Sequence, residues 1–368
     1  MRFDRTLVAG FVLAFTPGFN VANVGAVADT ASRQYGVGLG VIGLFTTALF
    51  LSHAAMQVPM GRLCDRLGAR VVGASGLAVV AVASVAALGW REAWFAIAMR
   101  FVAGFGTAAS FVGGSDYMRA MIGTPVAQGI FGALSMAGGG LAVGLLPLWA
   151  SWRTPFISAA IVAIVGAVVV LFAPRDGARP VHSVSRVTVR DARLLPLGAW
   201  HAASFGLSVV FGNWTVTLLH RAGGVSEATA GIAGGLILFL GVISRPAGGR
   251  LIDRPGLVRA SFVVAALGTV ALTVATPFAL AVAGAAVVGL AAGIPFAPSF
   301  AGAAHVRPDA PGAAVGFVNM IAAVVILVGT PLLGLTFSLP GDGRIGFAVV
   351  AALCLVTVVV RATPRGAA

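Results

Sequence analysis

Apolar runs long enough to cross a bilayer follow one another almost without interruption along this chain, and that succession leaves few folds open. A helix needs about 20 apolar residues to cross about 30 Å of hydrocarbon. Such runs can be marked roughly at 6–28, 38–60, 70–90, 94–115, 126–148, 154–173, 195–219, 228–247, 257–276, 278–303, 312–337 and 345–361. Backbone amides have no water to bond inside lipid, so helices are the expected element, and the expected fold is an all-α membrane protein of about twelve spans. With 59% hydrophobic and 10% charged residues, the composition is far from that of a soluble domain. The one long polar stretch, 174–194, carries Pro174, Pro180 and a cluster of arginines. It reads as a cytoplasmic linker between a first half, 1–173, and a second half, 195–368, each a six-helix bundle.

A duplication supports the division. Gly61-Arg62-Leu63-x-Asp65-Arg66-x-Gly68 recurs as Gly249-Arg250-Leu251-x-Asp253-Arg254-x-Gly256, and Gly132, Ser135, Met136 and Pro147 recur at a similar offset as Gly316, Asn319, Met320 and Pro331. Self-similarity at a fixed offset is the signature of internal repeats, here of two bundles related by a pseudo-two-fold axis along the membrane normal.

The net charge of +13 suggests nucleic acid until the arginines are placed. They concentrate in loops on the side of the N-terminus, at Arg62, Arg66 and Arg70 and from Arg175 to Arg193, while Arg33, Arg91, Arg153, Arg221 and Arg344 fall on the other. That bias is the positive-inside pattern, which sets both termini in the cytoplasm of a multi-pass plasma-membrane protein and argues against a nucleic-acid partner. Ala26-Val27-Ala28 could pass for a signal-peptide cleavage site, but the preceding run is too long and carries Asn20 and Asn23, so a retained first helix is expected. Cys64 and Cys354 have neither a partner nor metal-ligand spacing, and no metal or other cofactor is expected. Phosphate-loop, dinucleotide and zinc patterns are missing, and His and Ser are scattered without a catalytic motif, so an enzyme is not expected.

The repeated Gly-Arg-Leu-x-Asp-Arg-x-Gly, placed in short loops after the second and eighth runs, resembles the loop between helices 2 and 3 of the major facilitator superfamily. The resemblance implies a transporter working by alternating access. Gly61 and Gly249 would permit close helix approach and Gly68 a tight turn, while Asp65, Arg66, Asp253 and Arg254 would steady one arrangement of the halves. Arg100 in "RFVAGFGTAAS" is similar to the arginine pattern of the family's fourth helix. It either faces inward or snorkels to the headgroups.

Arg245 lies inside the eighth span, with Gln57 at the matching place in the second and His53 one turn earlier on the same face. Every Asp and Glu falls at a span end or in a loop, so a cavity containing Arg245 would select anions. The competing reading pairs Arg245 with Asp253 or headgroups. The same place carries a partial resemblance to nitrate/nitrite porters, which have an arginine here in helices 2 and 8 and glycine-rich signatures in helices 5 and 11. "GALSMAGGGLAVGLLP" fits the latter, but Gln57 replaces one arginine, Ser135-Met136 stands where Gly-Asn is usual, and Asn319 appears only in the eleventh run. Helices 1 and 7 line the cavity in the superfamily, which makes Asn20, Asn23, Asn213 and Trp214 candidate substrate contacts, or alternatively glue between helices. His201 and His220 lie nearer the ends of the seventh run, and Pro295 and Pro298 should bend the tenth.

The expected function is thus secondary transport of a small anion, an inorganic oxyanion or small carboxylate, by a monomer in the lipid bilayer. Coupling would be to a proton or a counter-anion: with no carboxylate in the spans, proton symport would have to use His53 or no side chain at all, which makes exchange of one anion for another an attractive alternative. Proton-coupled efflux of lipophilic compounds is the alternative. Efflux members usually carry a Gly-Pro pair in the fifth helix and often a buried acid, and neither is present.

Overall fold

The structure, a computed structural model, describes residues 5–122, 125–176, 191–307 and 311–362, which contain helices and turns and no strand. Among these residues eleven helices are long and apolar enough to cross a membrane, and a shorter apolar helix follows them. In chain order they are α1 (Arg5–Tyr35), α2 (Leu39–Leu67), α3 (Ala69–Ala87), α4 (Ala93–Met121), α5 (Pro125–Leu145) and α6 (Thr154–Leu171). The second half supplies α7 (Leu194–Gly223), α8 (Glu227–Gly249), α9 (Pro255–Val274), α10 (Phe278–Gly293, resumed as Phe296–Val306), α11 (Pro311–Leu335) and α12 (Arg344–Val358).

The helix ends have local causes. Gly36 closes α1 with φ +69° and its amide on the Ser32 carbonyl, a left-handed cap that costs glycine nothing. The Ser226 hydroxyl accepts the Thr229 amide at 3.1 Å and starts α8. Pro255 opens α9, where its missing N–H is not needed. The break in α10 falls at Ile294–Pro295, as "GIPFAP" predicts. A π-helical stretch at Ala202–Gly206 within α7 had no sequence signal.

Packing repeats between the halves. α4 packs on α2 and α3, and α6 on α3; in the second half α10 packs on α8 and α9, and α12 on α9. The two six-helix bundles meet chiefly along α2 with α11 and α5 with α8, with α1 touching α7. Glycine sets these approaches. A Cβ on Gly43 of α2 would lie 2.6 Å from the Pro331 Cα of α11, and one on Gly231 of α8 would lie 2.8 Å from the Val143 carbonyl oxygen of α5. Outward, Ile161, Val165 and Phe172 of the first bundle and Leu267 and Val270 of the second stay exposed, where lipid tails would cover them.

The repeated charged motifs depart from the expected loops. The first copy continues α2 to Leu67 and turns only at Gly68, with φ +87°, whereas the second forms a turn after α8 ends at Gly249. The tight turn expected of Gly68 is present, but close packing at Gly61 and Gly249 is not: a Cβ there would meet nothing nearer than Val112 at 4.0 Å and Ala297 at 3.8 Å. Asp176, at the start of the linker, accepts the amides of Ala69 at 2.5 Å and Arg70 at 3.0 Å, and so caps α3 from a distance. Arg66, Asp253 and Arg254 are exposed, and the Asp65 side chain lies outside the described residues.

Candidate functional site

A cavity of about 370 Å³ lies between the bundles near the middle of the helices. Aromatic and aliphatic side chains dominate its wall: Phe50, Phe111, Phe205, Phe317, Met136, Met320 and Leu238. Its polar side chains are His53 and Gln57 of α2, Ser135 of α5 and Asn319 of α11, all four anticipated from the sequence as site residues. No side chain in the lining other than His53 can carry a charge. A mostly apolar pocket with a few convergent polar groups suits a small organic ligand.

The polar groups are held from behind. Gln57 Nε2 lies 2.8 Å from His53 Nε2, His53 Nδ1 lies 3.0 Å from the Thr107 hydroxyl of α4, and that hydroxyl donates to the Gly104 carbonyl at 3.1 Å. Across the cavity Asn319 Oδ1 lies 3.1 Å from His201 Nε2. The fully buried His201 ring sits among Phe205, Phe296 and Phe300. His201 and Thr107 were missed by sequence reasoning. The first looked terminal because the π-stretch was invisible, and the second is one hydroxyl among many.

Arg245 is 5% exposed and stands one layer behind the wall. Its Nη1 donates to the Gly132 carbonyl of α5 at 3.1 Å, its Nε has no partner, and its Cζ lies 3.9 Å from the Phe296 ring and 5.6 Å from that of Phe205. No carboxylate, Asp253 included, pairs with it among the described residues. Cation–π contact with two rings partly replaces the lost hydration.

Arg100 is 2% exposed and points inward rather than snorkelling, but as a brace. It donates to the Asn20 carbonyl at 2.5 Å, Asn23 Oδ1 at 3.2 Å and the Phe45 carbonyl at 3.4 Å, tying α4 to α1 and α2. The Asn23 and Asn213 amides likewise join helices, whereas the Asn20 side chain bonds within α1. Asn23 Nδ2 donates to the Pro155 carbonyl at 2.9 Å, Asn20 Nδ2 to the Thr16 carbonyl at 3.0 Å, and Asn213 Oδ1 accepts from Thr46 at 2.8 Å across the bundles. Trp214 donates to the Thr330 carbonyl at 2.8 Å. Asn20, Asn23, Asn213 and Trp214 are outside the lining in this arrangement; the side chains of Asn23, Asn213 and Trp214 bridge helices, and that of Asn20 does not.

The end of the bundles opposite the linker carries a charged cluster that had no motif to announce it. Asp29 of α1 accepts from Arg221 of α7, with Nε at 2.7 Å and Nη2 also in contact, and lies 3.2 Å from Arg33 and 3.5 Å from His220. Glu227 of α8 lies 3.3 Å from Arg33 and accepts from Thr30. Asp29, His220 and Glu227 have the spacing of a metal site, but two guanidiniums already neutralise both carboxylates. The cluster therefore acts as an inter-bundle clasp.

Residues 10–260 match the profile of the Major Facilitator Superfamily. The chain belongs to the major facilitator superfamily. The fold agrees: a crystal structure of a mutant nucleoside transporter NupG superposes with a TM-score of 0.74 at 15% identity, covering 96% of this chain and 98% of that one. By sequence the chain is similar to the 4-hydroxybenzoate transporter PcaK of Pseudomonas aeruginosa, 22% identical over 298 residues. The match spans 68% of this chain and 66% of PcaK, just under two thirds of that relative. Membership makes the chain a multi-pass membrane transporter of the superfamily, and the cavity between its bundles is the candidate solute site.

Proposed function

We propose that the chain is a secondary active transporter of a small organic anion, an aromatic or otherwise apolar monocarboxylate. Residues 1–173 and 195–368 would rock about the cavity, with 174–194 as linker and both termini in the cytoplasm. The observation that carries this reading is Arg245: a buried guanidinium with no carboxylate partner among the described residues and a free Nε, its Cζ 5.6 Å from the ring of Phe205, which lines the cavity. An uncompensated buried cation is costly, and an anion in the adjoining cavity offsets that cost. Rotation of Phe205 would bring the two into contact.

The wall narrows the choice among anions. Four phenylalanines suit an aromatic acid, whereas an ion the size of nitrate would leave most of the 370 Å³ unfilled. PcaK is named for an aromatic acid, and neither relative is a nitrate or nitrite porter. The second reading, efflux of neutral lipophilic compounds, has its own support: no cationic arginine atom reaches the lining.

Uptake into proteoliposomes separates them. Accumulation of 4-hydroxybenzoate, lost in Arg245→Gln, is the expected result. Transport of the neutral 4-hydroxybenzamide with the Arg245→Gln variant equally active would overturn the anion reading and favour efflux.

A further inference from the structure

The hydrogen bonds behind His53 run in one direction, and that direction fixes its protonation. Gln57 Nε2 can only donate, so His53 Nε2 at 2.8 Å accepts, and the Thr107 hydroxyl, directed to the Gly104 carbonyl at 3.1 Å, accepts from His53 Nδ1 at 3.0 Å. His53 Nδ1 therefore carries the hydrogen, Nε2 is left as an acceptor, and Gln57 Nε2 donates to it at 2.8 Å. The chain is saturated with a neutral imidazole. Gln57, whose amide has both a donor and an acceptor end, lines the cavity beside His53.

From this geometry we propose that His53 binds the coupling proton and that Gln57 converts its arrival into anion affinity. The proposal rests on the anion reading above. A proton from water in the open cavity adds to the Nε2 lone pair. Nε2–H and the Gln57 amide N–H then oppose each other as two donors at 2.8 Å, a contact that cannot persist. The amide turns over, its oxygen accepts from Nε2–H, and its NH₂ end swings toward the cavity. The wall at this point changes from mixed donor and acceptor to donor only, beside an imidazolium, which is the chemistry a carboxylate requires. Release of the anion and return of the proton to water on the opposite side restore the starting state, so one proton moves with one monoanion and no net charge crosses.

Among the described residues, nothing else facing His53 can supply this proton step. Thr107 and Phe111 of α4, Phe50 of its own helix, Ser135 of α5 and Asn319 of α11 do not titrate. Arg100, farther along α4, is turned to the Asn20 and Phe45 carbonyls and to Asn23.

The test is equilibrium binding of 4-hydroxybenzoate to the purified full chain at about pH 6 and about pH 8, a range in which its carboxylate stays ionised. Proton uptake is followed with a dye in weak buffer. Wild type should bind about tenfold or more tightly at the lower pH and take up about one proton per probe bound, the linkage expected for a single site. His53→Gln should bind with the same affinity at both values and take up no proton. Gln57→Leu should show less than about a threefold change in affinity and correspondingly take up about a quarter of a proton or less per probe, because the group that links the proton site to the anion is gone. Wild-type binding that is independent of pH, or a folded His53→Gln with undiminished proton uptake, overturns the coupling role. Should His53→Gln fail to fold, the wild-type proton count and the Gln57→Leu pair still decide. Wild type that binds the neutral 4-hydroxybenzamide and not the anion at either pH overturns the anion reading itself, a different signature from loss of coupling.

Discussion

Removing Arg221 from the inter-bundle clasp should change which side of the transporter opens. Arg221 Nε lies 2.7 Å from Asp29 Oδ1, and Nη2 reaches the same oxygen. The two bonds share one acceptor atom, so they count as a single charge-assisted contact, for which about 1.5–3 kcal/mol is usual. Asp29 is 5% exposed and the Arg221 side chain 32%, so screening is partial. In Arg221→Ala, Asp29 keeps Arg33 at 3.2 Å and His220 at 3.5 Å, which holds the loss near the lower bound, about 1.5–2 kcal/mol. At about 1.4 kcal/mol per tenfold, the ratio of clasped to unclasped molecules should fall roughly 10- to 30-fold. Spin labels at Trp90 and Ser338, exposed positions on this end of the two bundles, report the separation once the buried Cys64 and Cys354 are replaced by serine. Double electron–electron resonance should then show a second, longer distance gaining population in Arg221→Ala. Identical distributions in a folded variant and wild type would refute the argument, and would mean that the backbone contacts of α2 with α11 and α5 with α8 hold this end closed by themselves.

Three further outcomes follow from the same geometry. Arg245→Gln should weaken 4-hydroxybenzoate binding by about tenfold or more in equilibrium binding, and Arg245→Lys by less, since it keeps the charge and loses the planar stack on Phe296. Arg100→Ala should lower stability by about 2–4 kcal/mol in thermal melts, because it strands Asn23 Oδ1 and the Asn20 and Phe45 carbonyls in a buried site. Asp176→Ala should cost about 1–2 kcal/mol in the same melts by uncapping α3, with solute affinity unchanged.

Much of the architecture could be read from the chain because lipid imposes few solutions on a long apolar run. The twelve runs and the break at Pro295 each correspond to an element in place, while the first Gly-Arg-Leu-x-Asp-Arg-x-Gly continues its helix instead of forming the expected loop. The site was legible only where polarity made a contrast. His53, Gln57, Ser135 and Asn319 stand out in apolar sequence and line the cavity; Asn20, Asn23 and Asn213 stand out equally but lie outside the lining, with Asn23 and Asn213 bonded to neighbouring helices and Asn20 to its own. Sequence cannot tell the two uses apart, since both satisfy an amide in hydrocarbon. Phe50, Phe111, Phe205 and Phe317 were invisible for the opposite reason, having the same character as residues that face lipid. The clasp was hidden because Asp29 and Glu227 lie at helix ends, where a charge ordinarily meets water, and only the fold brings them to Arg33 and Arg221.

Where Gly43 meets Pro331 and Gly231 meets the Val143 carbonyl, the bundles touch backbone to backbone. Tolerance to substitution on this surface is therefore the reverse of what holds in a water-soluble core. There the largest side chains are the least replaceable, because each leaves a void when trimmed. Here a single added methyl group has nowhere to go, while Ile161 or Leu267, turned toward lipid, can exchange among apolar types at little cost. A survey of every single substitution would find its deepest losses at positions that carry no side chain at all. Random mutation of this transporter would accordingly reach altered solute preference most readily through the phenylalanines of the cavity wall, with the glycine seams between bundles staying fixed.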